Sequence, residues 1–434
     1  MFGLSVQATI IAIGIVVVLY STSGGMWAVM GTDFLQGMIM HPILILLAVL
    51  SFLAVGGFSG FWEHYHAIPE LAAQWAPIKA DGVFKDHAYG LHWHLAIALM
   101  LIPQAFYMGS GSRFFMVKTG ADARKAQWLF IALSVPSMLI WCFPSFLSRL
   151  FYSEQVMASG LSKPAESAFA VAAMNLLPQG LTAMVVVAIF AGAMSSLATG
   201  LNANAAMVTQ DIYPFLCRLF KKPVRDNVAR VGFGRMATLL SGMLLIFLGL
   251  MFSFQKDLGV FETIMTMNAL LWIPSMAPLF LGILIRKTPR WAGFVSISCG
   301  FATSLYMYLS GLLGHPWAFP EMAITAWVVS HLSYLATIPF YSKTPQVYKD
   351  KVNAFFKQMH TPVNFAEEVG ESEDLRQLKM MGAFSVVIGV FVLGILVTAR
   401  DARSVASILF VGLSIITVGS FLAWMGWRSE KKKP

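Results

Sequence analysis

The chain has 434 residues, 57% of them hydrophobic and only 12% charged, with a net charge of +9 at pH 7. Soluble globular domains sit near about 45–50% apolar and about 25% charged, so this composition describes a polytopic membrane protein. The basic excess falls in short segments between apolar runs, which is a topology signal and not a nucleic-acid surface. Three cysteines in or near apolar runs (Cys142, Cys217, Cys299) give neither a disulfide framework nor a metal knuckle.

Runs long enough to cross about 30 Å of hydrocarbon are expected at roughly 4–23, 26–56, 93–116, 126–150, 178–209, 230–255, 258–285, 290–313, 321–341, 379–398 and 404–426. That makes about eleven crossings. The second is long and is expected to break at Gly56-Gly57. It also carries Asp33, placed about two turns from its start at 1.5 Å per residue. A carboxylate inside a membrane span is costly and is by default a functional hypothesis; the alternative is an Asp solvated at the interface or paired with a loop Arg.

The loop 57–92 that follows is rich in aromatic residues and histidine, with two i,i+2 pairs, His64/His66 and His92/His94. On a strand or extended loop such pairs chelate transition metals. An aromatic belt at the lipid headgroups accounts for them more simply.

The fifth span places Ser195 and Ser196 side by side near its middle, with Gly192 one turn earlier. Their two hydroxyls and the Gly192 carbonyl are expected to bring three neutral oxygens to nearly one spot. Neutral oxygens suit a hard cation that must bind and also leave. The surrounding Gly and Ala admit a second helix at close range. Back-bonding of the serines to the preceding turn is the competing reading.

In the seventh span Asn268 is the one polar group at depth, between aromatic Trp272 and the prolines Pro274 and Pro278. Two prolines four residues apart predict a distorted helix buried in protein. The mixed-charge stretch 342–378 reads as a loop with a short amphipathic helix near Val347–Phe356.

Lys and Arg cluster after the third, fifth, seventh and ninth spans and at the C-terminus, from Arg113 to Lys433. If every span crosses once, these clusters share one side, and the positive-inside rule makes it cytoplasmic. The C-terminus is then inside and Met1 outside, which predicts that further helices precede Met1.

Two stretches resemble signatures of the sodium:solute symporter family. One is Tyr20-Ser-Thr-Ser-Gly-Gly-Met-Trp-Ala-Val-Met-Gly-Thr-Asp-Phe-Leu-Gln36, which keeps Tyr20, Gly24, Gly25, Ala28, Val29, Thr32, Asp33 and Gln36 of that pattern. The other surrounds Ser195-Ser196 and includes Asn202 and the Asp211-Ile-Tyr213 ending. Arg113, Lys118 and Ala121-Asp-Ala-Arg-Lys125 are similar to the family's basic turn after its substrate-gating helix. The resemblance covers residues 1 to about 285 well and the C-terminal spans loosely.

The resemblance implies an all-α, inverted-repeat (five-plus-five, leucine-transporter-like) fold with solute and sodium at the midplane. Spans one and two would end the first repeat, and spans three to seven would form the second. The transporter core would occupy 1–341, a cytoplasmic loop 342–378, and two C-terminal helices with a basic tail 379–434. The first core helices of the family would be missing. The implied function is sodium-coupled symport of a small organic solute across the plasma membrane, with no enzymatic activity, Na+ as the coupling ion, and the solute and membrane lipids, but no nucleic acid, as partners.

Gly192, Ser195 and Ser196 would bind sodium, and Asp33 would lie on its route to the cytoplasm. Gln104 and Tyr107, with Phe106 beside Pro103, and Asn268 would line the solute pocket; Tyr20 and Gln36 would be packing or interface residues. The gating helix lacks the polar residues of the sugar and proline branches, which leaves the solute open. Two other readings compete: a membrane metal- or haem-binding protein using the external histidines, and a non-transporting, solute-sensing relative of the symporters.

Overall fold

A computed structural model describes residues 5–68, 75–76, 78–79, 89–105, 120–161, 163–224, 227–254, 259–361 and 374–430. Among these residues the chain is helical and forms no strand. In chain order the main helices are α1 (Val6–Ala54), α2 (Gly57–Ala67), α3 (Leu91–Ala105), α4 (Gly120–Phe151), α5 (Ala168–Leu176), α6 (Gln179–Met207) and α7 (Tyr213–Leu219). They continue with α8 (Asn227–Ser253), α9 (Val260–Met267), α10 (Ile273–Leu284), α11 (Ala292–Leu312), α12 (Phe319–Leu335), α13 (Gln346–Met359), α14 (Asp374–Gly394) and α15 (Ala402–Glu430).

Ten segments among the described residues are long and apolar enough to cross a membrane. The count falls one short of the expected eleven at the third span. There the apolar helix runs only from Leu91 to Ile102, and residues 106–119 lie outside the described part. The chain divides into two compact units, one of residues 1–60, 136–257 and 372–434, the other of 61–135 and 258–371.

In the first unit, α1 holds two crossings. Its 49 residues would make a rod of about 74 Å, more than twice the hydrocarbon thickness. Its packing shows that the chain doubles back. Along the first arm, Ile10 meets Gly249, Gly14 meets Ile246, and Val18 meets Gly242, so this arm is antiparallel to α8. Along the second arm, Met40 lies against Gly192, while Ile43 and Leu47 share a core with Val185 and Leu181, so this arm is antiparallel to α6. Val17 and Val29, twelve positions apart, both pack in one cluster with Ala198 and Leu201. The reversal therefore falls between them, in the stretch that contains Gly24-Gly25, and the two crossings are Val6–Ser23 and Gly31–Ala54. The second arm ends where expected: Gly56 and Gly57 take φ of +82° and +72°, a region that glycine enters without strain.

The core of this unit joins Ile43 and Leu47 of α1 and Leu181 and Val185 of α6 to Val392 of α14 and Ile408, Val411 and Ile415 of α15. Helices α14 and α15 form a hairpin whose backbones touch. A side chain at Gly382 would fall 2.5 Å from the Ala423 nitrogen and 2.6 Å from the Gly419 carbonyl oxygen. Small residues permit this approach, and close packing drives helix association in lipid.

In the second unit, Ala96 and Met100 of α3, Ile273 of α10 and Ala323 and Ala326 of α12 form one cluster. Ala269, Leu270, Met307 and Met322 form the next. Proline shapes the seventh span as predicted, through a π-turn at Asn268–Trp272 that ends two residues before Pro274. Pro274 has no N–H to give the Leu270 carbonyl four residues back. Ser304 of α11 donates its hydroxyl to that carbonyl at 3.2 Å, which satisfies a buried acceptor. A second π-turn, Val208–Ile212, ends two residues before Pro214, so one sequence arrangement gives one local structure twice.

Candidate functional site

Helix α6 packs its middle against α1, with Gly192 facing Met40. Apolar residues anchor it at both ends: Leu181 and Val185 in one core cluster, Ala198 and Leu201 in another. Between them, the Tyr20 hydroxyl donates to the Met194 carbonyl at 3.1 Å. This hydrogen bond ties the first arm of α1 to the turn of α6 that carries the serines.

Successive residues on an α-helix point about 100° apart, so Ser195 and Ser196 diverge. Ser195 is half-buried and Ser196 exposed. The Ser196 hydroxyl donates to the Gly192 carbonyl at 3.2 Å. The expected cluster of three oxygens is therefore a close pair, Gly192 O and Ser196 Oγ, with Ser195 one face further round. A methyl at Gly192 would meet only the Met40 sulfur, at 3.8 Å, an ordinary contact. Packing alone thus does not demand glycine there.

Asp33 is half-buried and lines a cavity of about 430 Å³ with Gly37, His41, Phe410 and Ser414. Of the second signature, Asn202 donates to the Ala198 carbonyl at 2.9 Å, and Asp211 falls in the π-turn.

Gly192, Ser195, Ser196 and Asp33 all belong to the first unit, and Asn268 to the second. Asn268 is half-buried and opens the π-turn before Pro274. Pro103 and Gln104 close α3, but their side chains are outside what the structure describes. Phe106, Tyr107, Arg113 and Lys118 lie outside the described residues.

The pairs His64/His66 and His92/His94 lie on helices and not on a strand or extended loop. His64 and His66 lie on α2, where i and i+2 point to different sides. The Nδ1 atoms of His66 and His94 bond the Trp62 and Gly90 carbonyls at 2.8 and 2.9 Å. Among the described residues no three His, Cys, Asp or Glu gather to hold a metal.

The expected amphipathic helix is α13. Arg286 anchors it by donating to the Asn353 side-chain oxygen through two nitrogens, at 2.5 and 3.1 Å, with its guanidinium 5.9 Å from the Phe356 ring centre. Two features escaped the sequence reading. The serine that rescues the Leu270 carbonyl lies 34 positions away. The buried side-chain oxygen of Gln36 has no hydrogen-bond partner.

The profile of the sodium:solute symporter family matches residues 1–300. The osmoregulated proline transporter OpuE of Bacillus subtilis is 25% identical over 317 residues, 72% of this chain and 59% of that protein. The sodium/sialic acid symporter NanT of Aliivibrio fischeri is 24% identical over 313 residues, 68% of this chain and 57% of that protein. The sodium/myo-inositol cotransporter 2 of Sus scrofa is 27% identical over 236 residues, 49% of this chain and 35% of that protein. The matched part of the chain thus spans between 35% and 59% of the length of these relatives.

Proposed function

Since the chain belongs to the sodium:solute symporter family, we propose that it takes part in sodium-coupled transport of a small organic solute. In this reading Na+ is the coupling ion. The Gly192 carbonyl and the Ser195 and Ser196 hydroxyls are its ligands on α6, and Asp33 stands on its route to the cytoplasm. The reading is supported above all by the pairing of α6 with the second arm of α1, where Met40 lies against Gly192 and the Gly192 carbonyl and Ser196 hydroxyl form a close pair of uncharged oxygens. Uncharged oxygens hold a hard cation loosely enough for release.

Coupling follows if sodium and solute each bind one conformation of the protein better than another, since only differential affinity shifts the equilibrium between them. Asn268, at the mouth of a π-turn, and Gln104 and Tyr107 are the residues we assign to the solute. The core transporter of this reading occupies 1–341, the loop 342–378 is cytoplasmic, and 379–434 adds two peripheral helices. In this reading the protein lies in the plasma membrane, and the Lys and Arg clusters support a cytoplasmic C-terminus.

The proline, sialic acid and myo-inositol named for the relatives form the first panel of solutes to test. Uptake into proteoliposomes is measured with an inward sodium gradient and with an equal potassium gradient. Sodium-specific accumulation of one solute supports the reading. If Ser195→Ala with Ser196→Ala leaves the sodium dependence untouched, the ion site is misassigned.

A further inference from the structure

Gln36 carries a buried oxygen that binds nothing. Its Oε1 is closed off from solvent and accepts no hydrogen bond. The residue stands on the second arm of α1, five positions past Gly31, about 8 Å along the helix. In such a place a polar side chain ordinarily hydrogen-bonds across to a neighbouring helix, and an acceptor left without a partner is uncommon.

The register shows what Gln36 faces. Met40, one turn later on the same side of α1, lies against Gly192. Ile43 and Leu47 continue that side to Val185 and Leu181. In the other direction, Val29 packs with Ala198 and Leu201. The two helices are antiparallel, so positions on α6 fall as those on α1 rise. Gln36, between Val29 and Met40, therefore stands across from the turn that carries Ser195 and Ser196. Ser196 already spends its proton on the Gly192 carbonyl, which leaves its lone pairs free.

What gathers at this level is a set of uncharged acceptors with one carboxamide oxygen lacking a positive partner. A hydroxyl could donate to that one oxygen, whereas a cation satisfies several such acceptors at once and an apolar side chain satisfies none. We propose that Gln36 donates its side-chain carbonyl oxygen to the sodium ion held on α6, so that the second arm of α1 and α6 share the site. The inference rests on the reading of α6 as a sodium site and adds a ligand from a second helix. Asp33, three positions earlier, faces the cavity beside α15, so the negative charge stays beside the ion's path and the ligands proper remain neutral.

The test is the unfolding temperature of the purified full chain in sodium chloride and in choline chloride, for the wild type and four variants. Gln36→Met keeps the volume and removes the oxygen. It is expected to unfold with wild type in choline and to need at least tenfold more sodium for half of the wild-type stabilisation. Gln36→Glu is expected to keep the sodium response. Should Gln36→Met not fold, Gln36→Asn, which withdraws the oxygen by one methylene, takes its place. Ser195→Ala is the control. If it loses the sodium response while Gln36→Met stays within twofold of wild type, Gln36 is a packing residue and the inference falls alone. If wild type shows no sodium response, or Ser195→Ala keeps it, the α6 site itself falls and takes this inference with it.

Discussion

Ser304→Ala should expose how the second unit tolerates proline in a membrane span. Ser304 is fully buried and Leu270 nearly so. The Ser304 hydroxyl bridges the carbonyl that Pro274 leaves without a donor, at 3.2 Å, and its own helix's Phe301 carbonyl, at 3.1 Å. An unpaired buried acceptor costs about 1–3 kcal/mol in soluble proteins. Hydrogen bonds between membrane helices average about 0.6 kcal/mol and reach about 1.7. With the donor shared between two carbonyls, we expect Ser304→Ala to cost about 1 kcal/mol.

The cause is isolated by a double-mutant cycle. Pro274→Ala returns an N–H to the helix, so the Leu270 carbonyl regains a partner. Ser304→Ala in that background should then cost less than in the wild type by more than about 0.5 kcal/mol, the margin within which independent sites add. Pro274 also packs where a side chain at Gly300 would lie, 3.1 Å away. Its substitution carries a cost of its own, which cancels in the cycle. Reversible unfolding in mixed detergent micelles, followed by circular dichroism, gives the four free energies. An equal cost of Ser304→Ala in both backgrounds would refute the reasoning, because the hydroxyl would then not be serving the carbonyl that Pro274 orphans.

Gly382→Ala puts a methyl against the Ala423 nitrogen and the Gly419 oxygen, both backbone atoms, so the α14–α15 hairpin should lose about 1–3 kcal/mol. Gly200→Ala meets nothing within 4 Å and should be neutral or slightly stabilising; the same unfolding assay contradicts the packing if the two behave alike. Tyr20→Phe removes the hydrogen bond to the Met194 carbonyl and should cost about 0.6 kcal/mol, at most about 1.7. A loss of several kcal/mol would mean that the first arm of α1 is held otherwise. Asp401 accepts from the Ser404 hydroxyl and amide at 2.7 and 2.8 Å, and these bonds hold its carboxyl below the usual Asp value. Because the folded value is the depressed one, this support for the start of α15 is complete above the unfolded pKa and is lost as pH falls through the folded one. Amide exchange at Ser404, corrected for intrinsic rate, should therefore quicken at acid pH in wild type, and Asp401→Ala should show the quickened exchange already at neutral pH.

Much of the first unit was legible because membrane physics is repetitive. Apolar length places Val6–Ser23 and Gly31–Ala54 as separate crossings even though helical residues run on between them. The glycine pair at 56–57 marks the end of the second. The same pattern could not resolve Ser195 from Ser196, because adjacency in sequence is not adjacency on a helix surface. The seventh span's distortion was readable from its prolines, whereas its remedy was not: Ser304 is one ordinary serine among many until α11 is packed on the π-turn. Gln36 escaped for a related reason, since an orphaned oxygen is a property of the packed interface.

The most direct test of the central claim is equilibrium binding of radioactive sodium to the purified full chain, for wild type and the Ser195→Ala, Ser196→Ala double variant. The account predicts saturable binding that potassium does not displace. It also predicts affinity at least about tenfold weaker in the double variant, a loss of about 1.4 kcal/mol, since two of the ion's oxygen ligands are removed. Saturable binding of equal affinity in both proteins, or none in the wild type, would contradict it.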